Sequence, residues 1–224
     1  AGISYSLGLS DGEFISIEDV LDTTIKIQKR ISVPLSVDVE RGYGKTKEEI
    51  ILNIKSIIEV GAVGINIEDG ISETKELSNL DSQCELIQEI NQLKKELDID
   101  FVINARTDAF WLEIGNNKEE LLSQSIKRAN AYLKAGADCI FVPGVFNEED
   151  IKTLVKNIKG PLNIIATPNT PCVKELEKLG VARVSLGSAP VRASFAVIKN
   201  IATELKNEGT FNSMYQTTIA YDKI

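Results

Sequence analysis

Short apolar runs alternate along the chain with longer segments in which apolar residues recur every three or four positions. The short runs are six predicted strands, namely Pro34–Glu40, Val63–Glu68, Asp100–Arg106, Asp138–Val142, Pro161–Thr167 and Ala182–Leu186. The longer segments have the period of amphipathic helices, as Lys47–Val60 and Glu119–Lys134 illustrate. This alternation is typical of repeated βα units around a parallel sheet.

Several predicted helices end in the same way, with a glycine that follows the last turn. Gly61, Gly136 and Gly180 each stand just before a predicted strand. Glycine at this position readily adopts the left-handed conformation that ends a helix. Because no linker or change in composition divides the chain, we predict one barrel domain over residues 1–224, with a C-terminal helical region at 188–224.

The regular repeat favours an α/β fold of the eight-stranded TIM-barrel type. Residues Ile15–Arg30 have a helical period, so we predict a seventh strand that ends at Ala1–Ser4 and a first βα unit upstream of residue 1. The alternative is an open doubly wound sheet, which normally carries a glycine-rich phosphate turn after an early strand. The sequence contains neither a GxGxxG nor a Walker A run, and this favours the barrel.

Composition excludes several classes of chemistry. The 224 residues include 25 Lys and Arg against 33 Asp and Glu, and the resulting charge of -8 disfavours binding to nucleic acid. No histidine is present, which excludes Ser-His-Asp and Cys-His nucleophiles and histidine-ligated metals. The three cysteines lack CxxC spacing and favour a reducing cytoplasm. No run approaches the roughly 20 apolar residues that cross a membrane.

Polar residues gather where three successive predicted strands end. Asp38 and Glu40 close the first of these strands, where strand alternation places them on one face, and Glu68 closes the second. Clustered carboxylates repel each other unless a cation lies among them, and oxygen donors favour Mg²⁺ or Mn²⁺. We therefore predict that Asp38, Glu40 and Glu68 bind a metal ion. The alternative is that they cap helices or pair with Arg41 and Arg106.

Two further features of the same rim suggest contact with a substrate. Arg106 ends the third strand, and its planar guanidinium suits a carboxylate or phosphate, although it could equally form a structural pair with Asp108 or Glu68. The turn that contains Gly42 and Tyr43 follows the acidic pair, and glycine there lets the backbone approach a ligand. The alternative for this turn is a tight βα connection with Tyr43 packed on the rim.

Five motifs occur in a characteristic order: SLGLSDGE, SVDVERGYG, GINIEDG, FVINARTDAF and AGADCIFVPG. In these motifs the sequence resembles the phosphoenolpyruvate mutase/isocitrate lyase superfamily, and in particular its small members related to carboxyphosphonoenolpyruvate phosphonomutase or oxaloacetate decarboxylase. The resemblance extends over nearly the whole chain. It implies a TIM barrel, a Mg²⁺ cofactor and an enolpyruvate-like intermediate. It also implies that about 30 to 40 residues, including the first strand, precede residue 1.

The resemblance implies a role for individual residues of the rim. Asp38 matches the principal Mg²⁺-associated aspartate, and Glu40 stands where many relatives have a second aspartate. Glu68 matches a glutamate that holds metal-bound water. Arg106 matches the arginine that contacts the substrate, and Asp11 matches an acid that assists near the metal.

Other implied roles lie outside the acidic cluster. Ala1 and Gly2 stand where backbone amides would hold the substrate carboxylate or enolate oxygen. Thr167 and Asn169 fall on a rim segment that closes over the distal end of the substrate. The apolar C-terminal helix, Val191–Asn207, would pack on a neighbouring subunit of a homo-oligomer, either a dimer or a tetramer.

The segment after Glu68 departs from the superfamily's lyases. Those enzymes carry a loop with a catalytic cysteine and a histidine, whereas Gly70–Lys75 contains neither. We expect a cytoplasmic, Mg²⁺-dependent carbon–carbon lyase or decarboxylase that acts on a small, oxaloacetate-like 2-oxo acid. Two alternatives stay open: cleavage or rearrangement of a P–C bond in a phosphonate, and binding of a 2-oxo acid without catalysis.

Overall fold

The computed structural model describes residues 2–216 and 218–223. Over these residues the strands are β1 (Ser36–Asp38), β2 (Gly64–Glu68), β3 (Gly70–Ile71), β4 (Glu76–Leu77), β5 (Val102–Arg106), β6 (Cys139–Phe141), β7 (Leu162–Ile165) and β8 (Arg183–Ser185). The helices are α1 (Gly2–Ser6), α2 (Ile17–Gln28), α3 (Lys47–Glu59), α4 (Leu80–Leu97), α5 (Lys118–Ala135), α6 (Glu148–Asn157), α7 (Val173–Leu179), α8 (Ala189–Asn207) and α9 (Asn212–Tyr215), and a short 3-10 turn follows at Tyr221–Lys223.

The principal sheet is parallel and follows the order of the chain. Its strands are β1, β2, β5, β6, β7 and β8, and helices α3 to α7 connect them. The sheet curls into a half-barrel, so the predicted α/β barrel class is confirmed, as are the six predicted strands. The remaining two strands, β3 and β4, pair with each other in a short antiparallel hairpin directly after β2.

Local sequence signals explain where the helices begin and end. The side chains of Thr46 and Asn147 cap α3 and α6 by accepting hydrogen bonds from backbone N–H groups of the first turn. The glycines that follow α3, α5 and α7 are Gly61, Gly136 and Gly180, with φ of 104°, 111° and 91°. The predicted left-handed helix ends are therefore confirmed.

The apolar core lies between the sheet and the helices. Alternate residues of the strands point toward the helices and have no solvent exposure, and these are Ile65, Ile67, Ile103, Ile140 and Ile164. They belong to one apolar cluster with Ile57 of α3 and Ile87 of α4. This layer holds each strand in place and thereby fixes where the strand ends lie.

The opposite, concave face of the sheet is polar. Asn104 and Asn163 are completely buried there. The Asn104 Nδ2 atom donates to Asn66 Oδ1 at 2.6 Å, and the Asn163 Nδ2 atom donates to Ser185 Oγ at 2.9 Å. Hydrogen-bonded polar side chains thus occupy positions where a barrel core normally carries branched apolar residues.

The predicted strand at the start of the chain is wrong. Gly2–Ser6 forms the helix α1, and Ala1 lies outside the described residues. The segment has a single large aliphatic residue, Ile3, which packs against the core, so it lacks the alternation that would define a strand. At the other end of the chain, α8 contains no buried residue. No helix among the described residues is long and apolar enough to cross a membrane.

We predict that stability depends on the helix-facing side of β5 far more than on its other side. Ile103→Ala should lower the free energy of unfolding by about 2–5 kcal/mol, because a fully buried side chain leaves a cavity. Val102→Ala removes a side chain that is 44% exposed and should cost less than about 1 kcal/mol. Urea denaturation followed by circular dichroism measures both values, and equal losses would contradict the proposed division of the two faces.

Candidate active site

The carboxyl ends of β1, β2 and β5 bring the predicted site residues to one rim. The three strands are neighbours in the sheet, and the register pairs Glu68 directly with Arg106. Asp38 ends β1, and its pair in β2 is Asn66, two residues before Glu68. The prediction that Asp38, Glu68 and Arg106 share one end of the sheet is therefore supported by the register of the strands.

Arg106 lies between two carboxylates. Its Nη1 atom is 2.7 Å from Glu68 Oε2, and its Nε atom donates to Asp108 Oδ1 at 2.7 Å. The guanidinium also lies over the ring of Phe141, with its carbon 5.7 Å from the ring centroid. The structural pairing considered for Arg106 is thus present, with Glu68 and Asp108 both as partners.

The acids around Arg106 outnumber it, and the pKa values of Glu68 and Asp108 are raised. Burial, together with the charges of Asp108, Asp38 and Glu40, raises the pKa of Glu68 to about 8 against the opposing charge of Arg106. Burial is also the main cause that raises the pKa of Asp108. The charges of Asp38, Glu40, Glu68 and Asp108 therefore act on one another across a single small region.

The turn after β1 holds Glu40 in an unusual backbone conformation. The strand ends at Asp38 and Glu40 has a φ of 48°, so strand alternation does not extend to Glu40 and the turn sets where its side chain lies. The Tyr43 hydroxyl donates to Glu40 Oε1 at 3.1 Å, and the Glu40 N–H donates to Asp38 Oδ1 at 3.2 Å. Burial, followed by the charge of Asp11, raises the pKa of Glu40.

Gly42 and Glu13 maintain this turn. Gly42 has a φ of 107°, and a Cβ atom there would collide with the side chain of Ile50. Glu13 Oε1 accepts hydrogen bonds from the backbone N–H groups of Arg41, at 3.1 Å, and Tyr43, at 2.7 Å. The sequence analysis missed Glu13, and its only signal was its position two residues after Asp11 in the SDGE motif.

The three predicted metal ligands do not form a closed cluster. Among the described residues, no group of three or more Asp, Glu, Cys or His side chains is arranged to hold a metal directly. Glu68 instead faces Arg106, and Glu40 accepts from Tyr43. However, Mg²⁺ usually retains several waters, so carboxylates around it need not all touch it. Ligation by Asp38, Glu40 and Glu68 stays a prediction.

For Gly2, Thr167 and Asn169, the other predicted substrate contacts among the described residues, the structure shows only local contacts. Gly2 lies in α1, where a Cβ atom would be 3.5 Å from Val191 Cγ2 of α8. Asn169 is exposed, and the Thr167 N–H donates to Thr170 Oγ1 at 2.9 Å in a tight turn after β7. No described contact joins these residues to Arg106, and their roles stay predictions.

Comparisons with known proteins agree with the fold and the motifs. Residues 1–206 match the phosphoenolpyruvate phosphomutase family model. The chain is 30% identical over 221 residues to a 2-methylisocitrate lyase of Escherichia coli K12, in an alignment that covers 95% of this chain and 72% of that enzyme.

Two solved structures extend the comparison. A protein of Burkholderia cenocepacia J2315 that is provisionally assigned as a phosphonomutase has a TM-score of 0.84 and 32% identity, over 90% of this chain and 82% of that one. A phosphonopyruvate hydrolase, solved with oxalate and Mg²⁺, has a TM-score of 0.83 over 100% of this chain and 79% of its own. Because the two sequences are only 22% identical, this similarity shows that the folds are alike and no more.

We predict that Glu68 makes the stability of the protein depend on pH in the absence of a divalent cation. Its pKa is about 8 in the folded state against an ordinary value of 4.5, so the folded state retains a proton that the unfolded state loses between these values. The free energy of unfolding should therefore fall as pH rises from about 4.5 to about 8, by at most about 1.4 kcal/mol per pH unit.

Urea denaturation at several pH values in EDTA measures this slope. Glu68→Gln should reduce it, because the variant side chain cannot ionise. Glu73→Gln changes an exposed acid of the β3–β4 hairpin and serves as the matched control, for which the wild-type slope is expected. An identical slope in wild type and Glu68→Gln would show that Glu68 has no raised pKa.

Proposed function

The chain belongs to the phosphoenolpyruvate mutase/isocitrate lyase superfamily, and on that premise we propose that it is a Mg²⁺-dependent carbon–carbon lyase. The proposed substrate is a small 2-oxo acid that resembles oxaloacetate, and the proposed reaction is decarboxylation or C–C cleavage through an enolpyruvate-like intermediate. The observation that carries the proposal is the rim of Asp38, Glu40, Glu68 and Asp108 around the single guanidinium of Arg106.

The charges of this rim fit a divalent cation. Four carboxylates act on one another there, and the guanidinium of Arg106 opposes them. Because every donor is an oxygen, the set suits Mg²⁺, with Mn²⁺ as the alternative. Asp38, Glu40 and Glu68 would hold the ion, directly or through water. When bound, the ion would supply electrophilic stabilisation of the negative charge that develops on the 2-oxo oxygen.

The remaining roles are assigned to side chains at the rim. Arg106 would bind and orient the substrate carboxylate, because its two carboxylate partners fix the plane of the guanidinium. Tyr43 holds Glu40 in place through its hydroxyl. Asp11, whose charge acts on Glu40, or a water molecule would manage the proton, which solvent supplies to the carbon that has lost the departing group.

The hairpin after β2 favours decarboxylation among the lyase reactions. The β3–β4 segment, Gly70–Leu77, contains no cysteine or histidine that could act as a general acid or base. Decarboxylation requires no initial proton removal from carbon: the C–C bond breaks, its electron pair remains on the 2-oxo fragment, and CO₂ leaves. A hairpin without an imidazole or a thiol suits this step.

Two alternatives use the same rim. A phosphonate could occupy it, as the similarity to a provisionally assigned phosphonomutase suggests, and the bond broken or moved would then be P–C. A protein that binds a 2-oxo acid without turnover would also need Arg106, and the short hairpin without a catalytic cysteine favours this reading. The assay below distinguishes the three.

We also propose that α8 packs against a second copy of the chain in a cytoplasmic homo-oligomer. None of its residues is buried, and Phe195, Ile198 and Leu205 are 45%, 59% and 37% exposed. An apolar helix face of this kind is typical of a protein–protein contact. Light scattering of the purified chain would report the oligomeric state.

We predict that the purified chain releases CO₂ or cleaves a C–C bond when assayed against oxaloacetate and a panel of 2-oxo acids with Mg²⁺. EDTA should abolish turnover, and added Mg²⁺ or Mn²⁺ should restore it. Asp38→Ala should lower kcat/KM by at least about 100-fold, because the charge that holds the ion is lost. Asp22→Ala removes an exposed acid that pairs with Lys26 on α2 and should leave turnover unchanged.

Other outcomes decide against parts of the proposal. Turnover that survives both EDTA and Asp38→Ala would refute the metal-dependent mechanism. Phosphorus NMR that shows cleavage or rearrangement of a phosphonate, without C–C cleavage, would favour the P–C alternative. Tight binding of a 2-oxo acid by calorimetry with no turnover of any compound would favour the binding protein.

A further inference from the structure

A buried ion pair lies directly behind the rim. Asp69 follows Glu68 in the chain, has no solvent exposure, and accepts from Arg128 Nε of α5 at 2.6 Å. The Tyr132 hydroxyl, one helical turn later, donates to the same oxygen, Asp69 Oδ2, at 2.5 Å. Two side chains from a helix therefore converge on one carboxylate oxygen at the end of a neighbouring strand.

The other oxygen of this carboxylate is directed toward the rim. Asp69 Oδ1 accepts from the backbone N–H of Asp108 at 2.8 Å, and Asp108 Oδ1 in turn accepts from Arg106 Nε at 2.7 Å. Contacts thus run without interruption from Arg128 and Tyr132 through Asp69 and Asp108 to Arg106. We call these five residues the relay.

The packing leaves the relay little freedom. Asp108 is 1% exposed, and a Cβ atom on Gly70 would collide with its carboxylate, so the chain must carry glycine beside it. Arg128 Nη2 also donates to the carbonyl of Ser78 at 2.5 Å, while the Ser78 N–H donates to the carbonyl of Asp69 at 2.8 Å. Arg128 therefore fixes both ends of the hairpin that follows Asp69.

We propose that Arg128 and Tyr132 are positioning residues, which set the orientation of the Arg106 guanidinium through Asp69 and Asp108. This inference rests on the proposed function, in which Arg106 binds the substrate carboxylate. Two carboxylates compete for Arg106, and a fixed Asp108 keeps its Nε edge engaged so that the rest of the guanidinium stays in one plane at the rim.

Removal of Arg128 should release this arrangement. The Asp69 carboxylate would then be buried without its cation, and it lies beside Asp108, which is itself buried. Such a charge draws solvent or neighbouring donors toward itself, and the backbone of Asp108 would lose its fixed acceptor. Arg106 would then have Glu68 as its one well-placed partner, in a less defined orientation.

The test measures binding of oxalate with Mg²⁺ by calorimetry, together with the steady-state kinetics of the 2-oxo acid reaction. We expect Arg128→Met to weaken oxalate binding and raise KM by at least about tenfold, with a smaller change in kcat. Tyr132→Phe, which retains the ion pair, should weaken binding by about threefold. Arg128→Lys should restore part of the loss, because the cation is kept while the planar fork is not.

A matched control separates positioning from general stability. Leu154→Ala empties a fully buried apolar site on α6 and removes none of the hydrogen bonds and ion pairs of the relay, so it should destabilise the fold without changing oxalate affinity. All measurements are made well below the unfolding temperature of each variant. Oxalate affinities in Arg128→Met and Tyr132→Phe equal to that of wild type would overturn the proposal.

A second measurement needs no substrate. In ¹⁵N NMR of the arginine side chains, Arg106 Nε–H, assigned with Arg106→Lys, should exchange slowly in wild type and in Leu154→Ala, and about tenfold faster in Arg128→Met. Unchanged exchange in Arg128→Met would overturn the positioning role even if oxalate does not bind. Absence of oxalate binding by wild type, with the exchange difference present, would count against the proposed function and not against the relay.

Discussion

Confinement of several carboxylates around one guanidinium is the constraint on which the site depends. Parallel strands deliver their carboxyl ends to one edge, and the adjacency of β2 and β5 sets Glu68 beside Arg106. Like charges held this close raise one another's pKa and favour any cation that enters. The surrounding contacts, from Glu13 to the buried Asp69, serve to hold these charges where repulsion would otherwise separate them.

The helix-facing side of the sheet supplies stability, and its concave side carries the polar side chains beneath the rim. Isoleucines on the helix side, such as Ile65 and Ile103, supply a continuous apolar layer, so the concave side is free to carry amides. Asn104 illustrates the cost, because its Oδ1 atom is buried with no hydrogen-bond partner among the described residues. The apolar side chains buried on the helix side therefore offset the energetic cost of the polar side chains beneath the rim.

The parts of the fold and the site that could be predicted are those that short stretches of sequence determine. The six strands of the principal sheet and the helix ends at glycines such as Gly136 follow from periodicity and from single residues, and the rim follows from acids at strand ends. Helix α1 and the β3–β4 hairpin were not predicted, because segments this short show no clear period. The pairing of Asp69 with Arg128 joins residues 59 positions apart, and no period in the sequence marks it. Whether Glu68 faces a metal or Arg106 depends on a side-chain rotation, and strand alternation does not describe Glu40 because the backbone turns there.

The absence of histidine limits how the proposed site can transfer protons. A site built from carboxylates, one guanidinium and a hairpin without cysteine has no imidazole and no thiol in that hairpin to transfer protons, so we expect its catalytic power to come mainly from fixed charge. Fixed charge acts only when its geometry is held before the substrate arrives. That requirement gives a physical reason for the two partners of Arg106 and for the further ion pair behind them, whose cation reaches from a helix to the base of the hairpin.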